Sequence, residues 1–186
     1  MPGKAEQSSA GVTGVERFPL RTVVFLLCMV SGSLDAIAFL TLGEAFASVM
    51  TGNIVFVGLA MGTLNLRLAI YCGTAIVGYA LGVLGGSWFV NSKARPGERE
   101  SLWPSRVTKT LALQLALLTI TSGAWLVLRG RPGDIAEFLM LMAVTCALGI
   151  QSAAVRAVRI PVSTTYMTGA FTILLEALAT RRPFAH

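Results

Sequence analysis

One carboxylate lies deep within the first long apolar stretch of the chain. Asp35 comes 13 residues after Thr22, where that stretch begins. A helix would therefore place it about 20 Å along a hydrocarbon core of roughly 30 Å, where a charge costs about 2.5 kcal/mol or more. Two interpretations stay open. Asp35 is either a proton- or cation-linked carboxylate in a polar cavity, or a structural carboxylate that accepts backbone N–H groups or pairs with Arg156.

A second polar pattern occurs twice. The triplet Met50-Thr51-Gly52 recurs as Met167-Thr168-Gly169, 117 residues further along the chain. The same offset pairs two more residues with identical ones, Gly32 with Gly149 and Ala36 with Ala153. A polar, glycine-bearing motif that is repeated within apolar segments is typical of internally duplicated transporters. We therefore predict two repeat copies, near residues 22–66 and 139–183.

The triplet also predicts where a membrane helix breaks. Thr51, Gly52 and Asn53 would begin a half-helix whose free N–H groups and dipole attract an anion. Thr168 and Gly169 would do the same from the opposite leaflet. The alternative is a helix bend in which the Thr hydroxyl bonds to the preceding turn and small residues pack around it.

Two further sets of residues stand out within the apolar stretches. Gln151 and Arg156 form a second candidate polar group, although snorkelling to the interface accounts for Arg156 without any function. Gly78, Gly82 and Gly86 recur every fourth residue. This spacing predicts a face for close helix packing, either within the bundle or at a dimer seam.

The elements that position these residues are membrane helices. Of the 186 residues, 54% are hydrophobic and only 13% charged, whereas soluble domains carry about 25% charged residues. Six apolar segments are apparent: 22–42, 48–62, 68–90, 107–128, 135–155 and 163–180. We predict an all-α, polytopic transmembrane bundle over 22–182, with a disordered polar tail over 1–21 and a short tail over 183–186. Asp134 is the predicted N-cap of the fifth segment.

The second segment is too short to cross a membrane. Its 15 residues span about 22 Å as a helix, less than the roughly 30 Å core. Basic residues lie in the N-terminal tail and in the loop 91–106, so the positive-inside rule places both in the cytoplasm. Because three segments separate these regions, we predict that the Met-Thr-Gly segment re-enters without crossing. This choice inverts the second repeat relative to the first, whereas six full crossings would make the repeats parallel.

Composition also limits the chemistry that the chain could perform. The single His is the terminal His186, and Cys28, Cys72 and Cys146 are isolated within apolar segments, so we expect no metal site and no cofactor. With no internal His and one deep carboxylate, we do not expect an enzyme. The net charge of +6 comes without a basic, aromatic-rich soluble module, so no nucleic acid is expected as a partner.

Two runs of residues resemble a known family. The first combines Ser31-Gly32-Ser33-Leu34-Asp35-Ala36 with Met50-Thr51-Gly52-Asn53, and the second combines Gly149-Ile150-Gln151-Ser152-Ala153 with Arg156 and the Thr168-Gly169 triplet. These runs are similar to YoaK-type bacterial membrane proteins, a family of unknown function. The resemblance covers nearly the whole chain and implies an inner-membrane protein, sometimes described as a small-molecule transporter. Family members often have Asn where Ser152 stands and commonly continue beyond this end, so a terminal helix is expected to be missing or truncated here.

We therefore predict a transporter or permease for a small molecule or ion in the bacterial inner membrane, with a cytoplasmic N-terminus. Proton linkage through Asp35 is part of this hypothesis. The alternative is a non-transporting assembly protein that packs through its glycine-rich helix. The expected partners are the lipid bilayer, a small solute and, if the glycine face forms a seam, a second copy of the chain.

Overall fold

Five α-helices make up the part of the chain that the computed structural model describes, residues 17–91 and 105–158. They are α1 (Arg17–Thr41), α2 (Met50–Thr63), α3 (Leu66–Asn91), α4 (Ser105–Val127) and α5 (Asp134–Ala157). Each coincides with one of the first five predicted segments, and α3, α4 and α5 are long and apolar enough to cross a membrane. The predicted all-α membrane bundle is confirmed. Residues 1–16, the sixth segment with Thr168 and Gly169, and residues 183–186 lie outside the described residues.

The start of α5 differs from its prediction. The N-cap is Gly133, so the prediction that Asp134 caps this helix is wrong by one residue. Asp134 and Glu137 instead lie in the first turn, where carboxylates interact favourably with the helix dipole. Both also lie near the guanidinium of Arg67 at the start of α3, at 3.7 and 3.6 Å.

The closest approach between helices is that of α3 and α5. A Cβ added to any of three glycines would collide with the other helix: Gly78 with Thr145, Gly82 with the carbonyl of Cys146, and Gly149 with the carbonyl of Tyr79. A Cβ on Gly86 would lie 3.0 Å from the Cβ of Ala153, a tight contact. We call this contact between α3 and α5 the glycine seam. Glycine on both sides lets the two backbones approach more closely than side chains would allow. The glycine face of α3 thus lies against α5 within the chain.

A short segment folds back into the bundle between α1 and α2. After α1 ends at Thr41, residues 42–49 return along it until the backbone of Ser48 reaches Asp35. α2 then runs in the same direction as the end of α1, since Phe39 and Phe56 stack with ring centroids 5.9 Å apart. The 14 residues of α2 span about 21 Å. The segment therefore enters and leaves the bundle at one end, as a re-entrant hairpin does.

Contacts between helix termini define the two ends of the bundle. At one end, the start of α3 meets the start of α5 through Arg67, and we call this the Arg67 end. At the other end, Arg106 at the start of α4 donates to the carbonyl of Val90, near the end of α3, at 3.3 Å. We call this the Arg106 end. α1, α3, α4 and α5 each run between the two ends, and α2 does not.

Three helix termini meet at the Arg106 end: the start of α1, the end of α3 and the start of α4. The charge distribution of the sequence predicts this arrangement. α5 runs opposite to α1, as an inverted repeat requires. The second Met-Thr-Gly triplet lies outside the described residues, so the internal repeat stays a prediction.

Candidate functional site

Asp35 holds the re-entrant segment where it turns into α2. Its Oδ1 accepts the backbone N–H of Ser48 at 2.6 Å, and its Oδ2 accepts the Ser48 hydroxyl at 2.6 Å. Ser31, about one turn earlier on α1, donates its hydroxyl to Oγ of Ser48 at 2.9 Å. All three side chains are buried, and in the part of the chain that the structure describes no ion pair joins Asp35 to Arg156. The carboxylate thus offsets its desolvation through charge-assisted hydrogen bonds to the loop.

Asn53, on α2, forms hydrogen bonds with the same loop. Its Oδ1 accepts the N–H of Phe46 and its Nδ2 donates to the carbonyl of Phe46, both at 2.8 Å. The ring of Phe46 stacks on Phe39 and Phe56 at 5.0 and 5.7 Å. A Cβ on Gly52 would come within 2.8 Å of the Phe46 ring. Asn53 and Gly52 therefore shape the loop, and the amide of Asn53 both donates to and accepts from its backbone.

We call this set of contacts the re-entrant junction: Ser31, Asp35, Phe46, Ser48, Gly52 and Asn53. It satisfies polar backbone groups that would otherwise be exposed to hydrocarbon, where an unpartnered group costs several kcal/mol. This requirement explains why a carboxylate and an amide lie so deep in an apolar sequence.

Gln151 takes part in a different contact from Arg156. Its Oε1 accepts the side-chain amide of Gln114 on α4 at 2.7 Å, and its Nε2 donates to the carbonyl of Leu27 on α1 at 3.2 Å. Gln114 and Gln151 are both buried. This amide link joins α1, α4 and α5, and the structure does not bring Gln151 together with Arg156.

A cavity of about 350 Å³ opens beside the start of α2. We call it the α2 cavity; it is lined by Ser48, Val49, Met50, Thr51, Tyr79, Val83, Ser152 and Arg156. Tyr79 lies 13 residues after Leu66, which is about 20 Å from the start of α3. The cavity therefore reaches the middle of the bundle, and Arg156, in the last turn of α5, lies toward the Arg106 end.

The backbone at the start of α2 leaves donors beside this cavity. The N–H of Asn53 donates to the carbonyl of Val49 at 3.2 Å. The N–H groups of Thr51 and Gly52 have no acceptor among the described residues, as is usual for the first turn of a helix. Two helix N–H groups and the positive end of the α2 dipole are thus available at mid-depth.

The α5 wall of the cavity adds a hydroxyl and a cation. Ser152 is only 8% exposed, and within the described residues its hydroxyl has no hydrogen-bond partner. Arg156 is exposed, and its guanidinium forms no ion pair with the described carboxylates. The lining contains no carboxylate. The α2 cavity is therefore rich in donors and positive potential.

A second cavity of about 350 Å³ lies at the Arg67 end. Its lining is Phe39, Leu40, Thr41, Gly43, Glu44, Asn65, Arg67, Leu68 and Glu137. Gly43 has a φ of +79°, and a Cβ there would collide with the ring of Tyr71. Buried apolar residues lie between the two cavities, among them Ala45, Ala47 and Leu148. The chain thus has a cavity toward each end with packed core between them.

The sequence predicts one candidate set of eight residues, of which Thr168 and Gly169 lie outside the described residues. The structure divides the other six: Asp35, Thr51, Gly52, Asn53, Gln151 and Arg156. Asp35, Gly52 and Asn53 belong to the re-entrant junction, Thr51 and Arg156 line the α2 cavity, and Gln151 belongs to the amide link. Ser48, Ser152 and Gln114 were missed as site residues. Gln114 could have been found, since it is an amide within an otherwise apolar helix, whereas serines are too common in membrane helices to be distinguished.

The chain is similar to known proteins over a range of residues that includes both cavities and the re-entrant junction. A family described as "Protein of unknown function (DUF1275)" matches residues 23–185. The UPF0700 transmembrane protein YoaK of Bacillus subtilis (strain 168) is 32% identical over 162 residues, which cover 86% of this chain and 68% of the relative. No solved structure matches the chain.

Proposed function

The chain belongs to the DUF1275 family of membrane proteins, and from that premise we propose that it is a transporter or permease for a small molecule or ion. One observation carries the proposal. The re-entrant segment begins a helix at mid-depth beside a cavity of about 350 Å³, and the N–H of Thr51, which lines that cavity, has no acceptor among the described residues. Broken helices that present backbone donors to a central cavity are the usual binding sites of secondary transporters.

The second cavity supports the same proposal. A solute that crosses the bundle would pass from the α2 cavity to the cavity at the Arg67 end, and the packed loop between them blocks that passage. Because the loop is held by a few side-chain hydrogen bonds, its displacement would open the passage without unfolding the helices. The re-entrant junction is therefore the proposed gate.

Asp35 is the proposed site of proton linkage. A proton on Oδ2 would convert this acceptor into a donor and reverse its hydrogen bond with the Ser48 hydroxyl. The loop position and the protonation state of Asp35 would then be coupled. We propose that the protein lies in the bacterial inner membrane, with the Arg106 end and the N-terminus in the cytoplasm, because the sequence is rich in basic residues before α1 and between α3 and α4 and such regions favour the cytoplasm.

The assembly hypothesis has less support. The interaction surface in that hypothesis is the glycine face of α3, and this face lies against α5 in the same chain. A homo-oligomer would need to use another surface, such as the exposed apolar side chains of α1 or α4, which suit lipid equally well.

Solute flux through proteoliposomes tests the proposal. Shrinkage and reswelling of vesicles would be followed by light scattering after mixing with glycerol, urea, sodium acetate, sodium phosphate or potassium chloride, with and without a pH gradient. We expect the protein to raise the permeability of at least one of these solutes. Thr51→Trp, which fills the α2 cavity, should abolish the increase.

Gly58→Trp is the matched control, because Gly58 is on the same helix and faces open space. It should leave the permeability unchanged. Folded wild-type protein that adds no permeability for any of the five solutes would contradict the transport proposal. Flux that is independent of the pH gradient, and equal in Asp35→Asn, would contradict the proton linkage alone.

A further inference from the structure

We infer that the α2 cavity binds a small free oxyanion, a carboxylate or an inorganic oxyanion of the phosphate type. This inference rests on the proposed function, since it names the class of solute that the same cavity would accept. It depends on donors from two helices that line one space: the N–H group of Thr51 on α2, and the Ser152 hydroxyl and the Arg156 guanidinium on α5.

The unused hydroxyl of Ser152 is the observation that points to a ligand. Serine in a membrane helix usually donates to a carbonyl of its own preceding turn. Ser152 is more than nine-tenths buried, it lines the cavity, and no hydrogen bond to any described residue satisfies its hydroxyl. Every sealed side-chain oxygen or nitrogen of the described residues has a partner, so the Ser152 hydroxyl is accessible from the cavity and can donate a hydrogen bond to a ligand there.

The start of α2 supplies the complementary part of the site. The first-turn N–H groups of Thr51 and Gly52 have no protein acceptor in the described chain, and the helix dipole adds positive potential at this terminus. Helix N–H groups bind oxyanions through several parallel hydrogen bonds. Asp35 does not take these two donors, since the hydrogen bonds that its carboxylate accepts both come from Ser48.

Arg156 determines the sign of the charge and the shape of the ligand that the cavity would bind. Its planar guanidinium donates two parallel hydrogen bonds to a carboxylate or phosphate, which a monatomic anion cannot accept in the same way. A cation is disfavoured, because the lining holds an arginine and no carboxylate. The inference therefore names an oxyanion and predicts weaker binding of chloride.

Depth distinguishes a free solute from a lipid. The cavity extends to Tyr79, about 20 Å along α3 from the Arg67 end, whereas lipid phosphates lie at the surface of the hydrocarbon core. We therefore assign the site to a soluble oxyanion.

Binding to the full chain in lipid-free detergent micelles tests the assignment separately from transport. Sodium phosphate and sodium acetate would be titrated by calorimetry, with potassium chloride at the same ionic strength and phosphatidylglycerol as separate arms. We expect saturable binding of phosphate or acetate, and weaker binding of chloride. Arg156→Gln should weaken the binding about tenfold or more, since a hydrogen bond to a charged group is worth about 1.5–3 kcal/mol and 1.4 kcal/mol is a factor of ten. Ser152→Ala should weaken it by a few-fold.

Two matched variants control for the loss of a charge and of a hydroxyl. Arg131→Gln removes an exposed arginine at the Arg67 end, and Ser122→Ala removes an exposed hydroxyl from α4. Neither should change the affinity. The inference is overturned if folded protein binds neither oxyanion, if Arg131→Gln weakens binding as much as Arg156→Gln, or if phosphatidylglycerol alone binds.

The outcome is separable from that of the flux experiment. Oxyanion binding without flux would retain the site and contradict transport. Flux of glycerol, urea or a cation without oxyanion binding would retain transport and contradict the site.

Discussion

The glycine seam joins α3 to α5 through backbone contact, whereas the re-entrant junction joins α1 to α2 through hydrogen bonds. At the seam, a single added Cβ on Gly82 would overlap the carbonyl of Cys146. At the junction, one carboxylate and one amide hold a loop by four hydrogen bonds to Ser48 and Phe46. Close backbone contact leaves the seam little room to rearrange. The junction can rearrange, because hydrogen bonds can exchange partners with water, a proton or a ligand.

This difference suggests that the glycine seam and the re-entrant junction have different mechanical roles. The α3–α5 pair would serve as the rigid frame, since close-packed interfaces resist deformation. The segment between α1 and α2 would be the movable part, because its loop lacks regular backbone hydrogen bonds of its own. The α2 cavity lies between the two, with one wall from each.

The topology of the re-entrant segment is the most decisive test, because its outcome is all or none. Single cysteines would be introduced at Glu44, Arg67 and Ser105 in a chain whose native cysteines are replaced by alanine, and labelled with an impermeant maleimide. We expect Glu44→Cys and Arg67→Cys to react from one side and Ser105→Cys from the other. A full crossing by α2 would instead place Glu44→Cys and Ser105→Cys on the same side.

The seam should give the largest change in stability. Gly82→Ala forces a Cβ against the backbone of α5 and should destabilise the protein by about 1–3 kcal/mol or more. Gly85→Ala is the matched control, since Gly85 is exposed and an added Cβ would meet nothing within 4 Å. Helix propensity predicts that this control is neutral or stabilising. Thermal melting in detergent measures both variants, and equal melting temperatures would show that α3 and α5 do not pack through Gly82.

The junction should respond next most strongly. Asp35→Ala leaves the N–H of Ser48 buried without an acceptor and should cost about 1–3 kcal/mol. Asp35→Asn keeps one oxygen for that N–H and should cost less. Ser33→Ala removes an exposed hydroxyl that bonds only to the carbonyl of Met29 in its own helix, and it should melt like the wild type. Wild-type stability of Asp35→Ala would argue against the junction.

The amide link should give the smallest effect. Gln114→Leu, Gln151→Leu and the double variant form a double-mutant cycle. Hydrogen bonds between membrane helices contribute about 0.6 kcal/mol on average, with a maximum near 1.7 kcal/mol. We expect a coupling energy in that range from chemical unfolding of the four proteins. Additive effects would mean that the two amides are not bonded to each other.

Much of the fold could be predicted because it follows from local chemistry. Runs of apolar residues give the five described helices, and the length of the second run separates it from the spanning ones. The spacing of Gly78, Gly82 and Gly86 predicts a packing face, but not which helix it meets. The N-cap of α5 was missed by one residue because Gly133 and Asp134 are adjacent and both suit that position.

The candidate site was predictable only as a set of residue types. Buried polar contacts are predicted by five side chains within apolar segments: a carboxylate, two amides, a threonine and an arginine. Their grouping was not predictable, since Asp35 could equally have paired with Arg156 and Gln151 could have lined the cavity. Ser48 and Ser152 were missed because their roles depend on neighbours distant in the sequence.

The sequence by itself determined the class of protein and the number and approximate length of its described helices. These properties follow from hydropathy and helical rise, which act along the chain. Only the tertiary structure decided that Asp35 binds Ser48, that α5 covers the glycine face and that Thr51, Ser152 and Arg156 meet at one cavity. Those outcomes depend on which helices pack side by side, and packing depends on shape and partner choice across more than 100 residues of sequence.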